Sequence, residues 1–90
     1  MNAQARLRLG KGVRLRREQD GSAMLLVPEG ALVLNPSAAA TLELVDGERS
    51  LADIAKLLVA RFEVDEEQAR QDVRELLERL AQRRLIVEAS

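Results

Sequence analysis

The sequence predicts an α+β fold in which a three-stranded antiparallel sheet precedes a three-helix bundle. The first half of the 90-residue chain contains three short apolar or alternating segments, and pairs of turn residues separate them. The second half contains three longer segments, in which apolar residues recur every three or four positions and a helix-capping residue stands in front. Three helices with a β-hairpin make up a winged helix-turn-helix, so we expect a fold of that kind with its strands placed before its helices.

The predicted strands cover residues 13–16, 24–27 and 31–34. The first alternates apolar and basic residues, whereas the second (M-L-L-V) and third (A-L-V-L) are apolar on both faces. Continuous apolar runs are typical of strands that are covered on both sides. A chain this short has few elements to supply the second cover. The pattern therefore indicates a binding module in which another molecule supplies it.

Turn and capping residues set the expected limits of the helices. Asn35-Pro36 predicts the start of the first helix, and Gly47 predicts its left-handed end. The third helix is expected over 66–84, with Asp65 as its cap and Gln68 closing a capping box.

The two ends of the chain give weaker patterns. Residues 1–10 are expected to be a flexible N-terminal lead-in, and residues 11–90 a single peptide-recognition winged-helix domain. Leu85–Val87 is too short to extend the third helix and is expected to be a closing strand or a packed tail.

Composition argues against several functional classes. The chain has no cysteine, histidine, tyrosine or tryptophan, which removes disulfides, thiolate metal sites and the commonest general base. Most carboxylates stand where helix caps and exposed helix faces need them. We therefore expect no enzyme, no catalytic residue, no metal site and no bound cofactor. No run is long enough to span a membrane, so a cytoplasmic protein without membrane contact is predicted.

The net charge of −1 conceals an asymmetry. The first 17 residues contain no acid and carry six basic side chains: Arg6, Arg8, Lys11, Arg14, Arg16 and Arg17. Such an arm either serves solubility or meets an acidic partner surface. A winged-helix DNA-binding transcriptional regulator is the alternative function. However, the arginines of the predicted third helix are nearly balanced by acids, which argues against a partner nucleic acid.

An exposed strand edge is the remaining functional signal. The edge of a small sheet presents unpaired N–H and C=O groups that can pair with an added strand. If the third strand lies at an edge beside the third helix, the apolar face of that helix forms the floor of a groove that could bind a peptide. The alternative is that these apolar residues are only core. The predicted peptide-binding residues are Ala31, Leu32, Val33, Leu34, Arg70, Val73, Arg74, Leu77 and Leu80.

A set of short motifs along the chain resembles the PqqD family of pyrroloquinoline quinone (PQQ) biosynthesis. The motifs are V-R-L-R at 13–16, L-L-V-P-E-G at 25–30, L-N at 34–35, S-A-A at 37–39, D-G at 46–47, L-A-D-I at 51–54 and D-V at 72–73. They follow in the order and spacing typical of that family. Together they cover nearly the whole chain.

The resemblance implies a peptide chaperone. Family members bind a ribosomally made precursor peptide, here a PqqA-like peptide, and present it to a PqqE-like radical S-adenosylmethionine enzyme. The fold is similar to recognition domains in which a leader peptide adds a strand to a winged-helix sheet and packs against its last helix. On this chain, the matching positions are Ala31–Leu34 and the helix face around Val73 and Leu77. We expect a monomer in solution, with dimerisation through the strand edge at high concentration.

Overall fold

The computed structural model describes residues 1–89. It contains five strands and three helices in these residues, with short connections between them. The elements are β1 (Leu7–Leu9), β2 (Arg14–Arg17), β3 (Ala23–Val27), β4 (Gly30–Leu34), α1 (Pro36–Glu43), α2 (Leu51–Phe62), α3 (Glu66–Gln82) and β5 (Ile86–Glu88).

Strands β2, β3 and β4 form an antiparallel sheet in that spatial order. A two-residue turn at Pro28-Glu29 joins β3 to β4, because Val27 pairs with Gly30 across it. The proline presets φ at the first turn position, and Gly30 adopts a φ of 152° where the chain leaves the turn. The predicted α+β fold, with its three-stranded antiparallel sheet and three helices, is confirmed.

The core lies between the inner face of this sheet and the helices. Ala23, Leu25 and Val27 of β3 point inward and are buried, and α1 packs across all three strands. Helices α2 and α3 pack on each other, with Ile54 and Leu77 fully buried between the layers. Burial of side chains of this size contributes about 1.5–3 kcal/mol each to stability. Within residues 1–89, no helix is long and apolar enough to cross a membrane.

The caps expected from Asn35 and Asp65 are present, and α2 also begins with a capping residue. The Asn35 side chain accepts a hydrogen bond from the Ala38 amide at 2.8 Å, and Pro36 occupies the first helical position. Ser50 and Asp53 form a reciprocal capping box, with both hydrogen bonds at 3.1 Å. These caps satisfy backbone N–H groups that would otherwise lack a partner in the first helical turn.

Two predicted capping roles, one after α1 and one at the start of α3, are wrong. Helix α1 ends at Glu43, before Gly47, and the Gly47 N–H instead donates to the carbonyl of Leu7 at 2.7 Å. Gln68 does not close a capping box, because its side-chain amide donates to Asp72 one turn further along α3 at 2.9 Å. In both cases a contact outside the local motif satisfies the group that the motif would have used.

The N-terminal segment differs from the expected flexible lead-in. Strand β1 pairs with β5 in a second, two-stranded antiparallel sheet, in which Leu7 lies opposite Glu88 and Leu9 opposite Ile86. Leu7 is buried against the core, and Gly10 donates its N–H to Leu85 at 2.8 Å. Pairing with β5, which comes from the other end of the chain, holds the segment against the rest of the fold. The same pairing makes the segment after α3 a closing strand.

Candidate functional site

Strand β4 forms one edge of the three-stranded sheet. It pairs with β3 on one side, and in the structure no strand within residues 1–89 pairs with its other side. Its side chains alternate between the two faces of the sheet. Leu32 and Leu34 point inward and pack against the core, whereas Ala31 and Val33 point outward and are exposed. The free strand edge that the sequence predicts is therefore present.

The register of the hairpin indicates which backbone groups of β4 are free. Val27 and Gly30 flank the two-residue turn, the positions that a turn hydrogen bond joins, so Leu32 and Leu34 also belong to hydrogen-bonded pairs with β3. Residues between such pairs direct their N–H and C=O groups away from the partner strand. Ala31 and Val33 therefore present their backbone groups to the open side, ready to pair with an added strand.

A cavity of about 450 Å³ is lined by residues of all three helices, and no residue of β4 lines it. Asn35, the residue directly after β4, is at one end of it, and side chains of α3 form the opposite wall. The lining residues are Asn35, Ser37, Ala38, Thr41, Leu58, Phe62, Val64, Ala69, Asp72, Val73, Glu75, Leu76 and Arg79.

The cavity combines apolar walls with a charged rim. Phe62, the only aromatic residue of the chain, contributes a wall, and the Arg61 guanidinium lies over its ring at 5.4 Å from the centroid. Asp72, Glu75 and Arg79 of α3 form the charged part. An apolar pocket with a few polar groups at its rim suits the side chain of a bound ligand. Because Asn35 follows β4 directly, the cavity lies near the end of that strand.

The helix residues predicted for the site fall into three groups. Val73 is 3% exposed and lines the cavity. Leu77 and Leu80 are buried in the hydrophobic core and do not line the cavity. Arg70 and Arg74 are exposed on α3, outside the cavity lining. The structure thus brings Val73 to the cavity, places two leucines beneath it and leaves the two arginines at the surface.

Several lining residues were absent from the predicted set. Leu76 and Phe62 are two of them. Asn35 was recognised only as a helix cap. A signal was available in Phe62, since a single aromatic residue at the end of a helix is large enough to border a pocket. The convergence of α1, α2 and α3 at one point was not readable from local patterns.

The ionisable groups whose pKa is shifted lie outside the cavity. The groups with a lowered pKa are Asp20, Asp46 and Asp53, and all three lie at turns or helix starts. Hydrogen bonds lower each pKa: Ser22 donates to Asp20, the Arg49 and Glu48 amides to Asp46, and Ser50 to Asp53. In the described part of the chain, no three histidine, cysteine or acidic residues group to hold a metal ion.

Comparison with known proteins identifies the family. Residues 22–86 match the family of coenzyme PQQ synthesis protein D (PqqD). This chain belongs to the PqqD family. The resemblance inferred from the motifs is confirmed, and the matched region runs from β3 to the start of β5, so it includes β4 and all of α3.

Individual members and related structures agree with this. The PqqA binding protein of Xanthomonas axonopodis pv. citri is 40% identical over 79 residues, which span 87% of this chain and 86% of that protein. The solution NMR structure of the PqqD truncation of Methylobacterium extorquens PqqCD, a stand-alone recognition element for ribosomally synthesised and post-translationally modified peptides, is 35% identical with a TM-score of 0.76. The match covers 90% of this chain and 87% of the PqqD truncation.

A further similar structure contains a bound peptide. Lasso peptide synthetase B1 in complex with its leader peptide is 26% identical, with a TM-score of 0.78, and the match covers 92% of this chain and 99% of the synthetase. The PqqD fold of this chain is therefore shared with a protein that has been solved with a leader peptide.

Proposed function

We propose that this protein binds a ribosomally made precursor peptide as an added strand on β4 and presents it to a radical S-adenosylmethionine enzyme of PQQ biosynthesis. The observation that carries the proposal is the free edge of β4, a strand that is followed directly by Asn35, which lines the apolar cavity. Two similarities support it. Relatives are PqqA binding proteins, and a protein of the same fold has been solved with a leader peptide.

The two edges of the sheet differ in their suitability for strand addition. Strand β2, at the opposite edge, carries Arg14, Arg16 and Arg17, and the Arg17 side chain is tied to Glu43 at 2.7 Å. Charged side chains on an edge strand hinder the pairing of another chain. Strand β4 carries no charge. Strand addition is therefore favoured at β4.

The cavity gives the added strand a second set of contacts. Side chains of a strand alternate between its two faces, so every second residue of a peptide paired with β4 points towards the helices. One bulky apolar side chain from that set would reach the wall formed by Phe62, Val73 and Leu76. Backbone pairing then supplies affinity with little sequence demand, and the cavity supplies selectivity.

These contacts define the proposed site. The backbone of Ala31 and Val33 pairs with the peptide, while Leu32, Leu34 and Val73 shape the apolar side. Leu77 and Leu80 support Val73 and the rest of the α3 wall from the core. Arg70 and Arg74 are exposed charges at the border of the proposed site, where they would contact an acidic segment of the peptide.

The proposed role is that of a carrier without chemistry of its own. The radical enzyme would supply the catalysis, and this protein would act as a cytoplasmic monomer that holds the peptide in an extended form. An extended strand exposes side chains that a folded peptide would hide. The free edge is suited to presenting a peptide and not to catalysing a reaction on it.

Titration of isotopically labelled protein tests the proposal. Amide resonances of Ala31, Val33 and the cavity wall should shift on addition of a precursor peptide from the same genome. Resonances of β1 and β5 serve as an internal control, since they lie in the separate sheet. Shifts confined to β1 and β5, or none at all, would contradict strand addition on β4.

A second titration, with duplex DNA, distinguishes the proposed function from the alternative of a transcriptional regulator. Duplex DNA at physiological salt should leave the spectrum unchanged, because α3 carries five acidic and only three basic side chains. Salt-sensitive shifts of α3 with DNA, together with no response to peptide, would favour a transcriptional regulator instead.

A further inference from the structure

The face of the three-stranded sheet that points away from the helices is apolar at its centre and basic on one side. Paired residues share a face in an antiparallel sheet. The register places Arg14 beside Leu26 and Ala31, and Arg16 beside Met24 and Val33. These six residues are called the outer sheet face below.

No element of residues 1–89 covers the outer sheet face. Val33 is 80% exposed, more than any other large apolar residue of the chain. Met24 and Leu26 are partly exposed and do not belong to the residues that pack on the core, in contrast to Leu15 and Leu32 on the inner face. An apolar centre left open in two adjacent rows is typical of a docking surface rather than of scattered exposed residues.

The charges of the outer sheet face point to the chemistry of its partner. Arg16 is paired with Glu18 at 3.0 Å, whereas no salt bridge in the described residues includes Arg14. Four further basic residues, Arg6, Arg8, Lys11 and Arg17, precede or follow them in a segment without acids. A partner with carboxylates around an apolar side chain would match both the centre and the border.

We propose that the outer sheet face docks an acidic, apolar-centred surface of the enzyme that modifies the bound peptide. This inference depends on the proposed function, because it assigns the enzyme a place relative to the peptide. A peptide paired with β4 continues the sheet, so every second side chain emerges on the outer sheet face, next to Ala31 and Val33. An enzyme docked there contacts the carrier and reaches those peptide side chains at the same time.

Charge reversal on β2 tests the docking surface without changing the peptide edge. The variant Arg14→Glu/Arg16→Glu alters two exposed side chains of the strand furthest from β4 in the sheet. Met24→Glu tests the apolar centre. Lys56→Glu/Arg83→Glu is the matched control, because it changes the net charge of the protein equally at exposed positions on the helical side. Circular dichroism verifies the fold of each variant.

Two affinities are measured for each variant by isothermal titration calorimetry: that for the precursor peptide, and that of the peptide-loaded protein for the purified radical S-adenosylmethionine enzyme. We expect both outer-face variants to bind peptide within twofold of wild type and enzyme at least tenfold more weakly. The control should match wild type in both. The wild-type association rate should fall with added salt, and the Arg14→Glu/Arg16→Glu variant should lose most of that dependence.

Enzyme affinity that is unchanged in both outer-face variants would overturn the inference and leave peptide binding standing. Loss of peptide binding in wild type would instead remove the proposed function. An outer sheet face that mediates self-association, seen as a dimer in sedimentation that both variants abolish, or that binds duplex DNA, would also overturn the assignment to the enzyme.

Discussion

Replacing Val33 with proline should weaken peptide binding while leaving the fold intact. Proline lacks a backbone N–H and is tolerated in sheets where that N–H faces solvent at an edge. Val33 meets this condition, because the hairpin register directs its N–H to the open side of β4 and its side chain is exposed. Leu32 does not, since its N–H belongs to a pair with Leu25 of β3.

The magnitude follows from the backbone groups of Val33. An added strand would exchange two hydrogen bonds with this residue, one through its N–H and one through its C=O. The proline removes the first, and its ring crowds the approach that the second requires. At about 0.5–1.5 kcal/mol for each net hydrogen bond, the loss is about 1–3 kcal/mol. Peptide affinity should therefore fall by a factor of about 5 to 150.

Calorimetric titration of the peptide into Val33→Pro, Val33→Thr and Leu32→Pro tests this reasoning. Val33→Thr keeps the N–H and the β-branched shape, so it should bind within about twofold of wild type. Leu32→Pro should lower the unfolding midpoint, because it breaks a bond inside the sheet. A Val33→Pro protein with a wild-type circular dichroism spectrum and unchanged peptide affinity would refute strand addition at this position.

Four further outcomes follow from the structure. Leu77→Glu should unfold the domain, because Leu77 is fully buried, whereas Leu76→Glu should stay folded and bind peptide at least tenfold more weakly; thermal unfolding and titration compare the two, and a folded Leu77→Glu would contradict the core assignment. Ser50→Ala should cost about 1 kcal/mol in urea denaturation, since it removes the capping box, and an unchanged midpoint would argue against the box. Hydrogen bonds from Ser50 lower the pKa of Asp53 below its ordinary value, so its stabilising contribution is present above that ordinary value and is lost as the pH falls through the lowered pKa; the stability difference between wild type and Asp53→Asn should be constant near neutral pH and shrink in acid, measured by urea denaturation across pH. Light scattering over a hundredfold dilution should show a monomer at low micromolar concentration, and a dimer that persists there would mean that the free edge pairs constitutively.

Local sequence signals predicted the fold well where the interacting groups lie close together in the chain. Pro28 and Gly30 define a turn of four residues, and Asn35-Pro36 places a cap next to the helix that it starts. The β1–β5 sheet was missed because each strand has three residues and its partner lies about eighty positions away in the chain. Gly47 was misassigned for the same reason. Its N–H is satisfied by the carbonyl of Leu7, a contact that no local pattern reveals.

The candidate site was only partly readable for a related reason. The apolar run of β4 indicated an edge, because a run without polar residues in a small sheet needs an external cover. The helical side required knowledge of which way α3 is rotated. A shift of one position along the helix, about 100°, separates Leu77 in the core from Leu76 at the cavity. Periodicity alone identifies the apolar face but not the few residues at its border.

The β1–β5 sheet also determines how this domain can be joined to others. Since Met1 lines the same pocket as Val87 and Glu88, the two ends of the described chain lie near one point of the surface. A tether attached at either end would start from that point, in a different sheet from the one that carries β4. A neighbouring domain could thus be linked before or after this one with similar reach and without covering the peptide edge. The local concentration of peptide offered to that neighbour would then depend on tether length and hardly on the order of the domains.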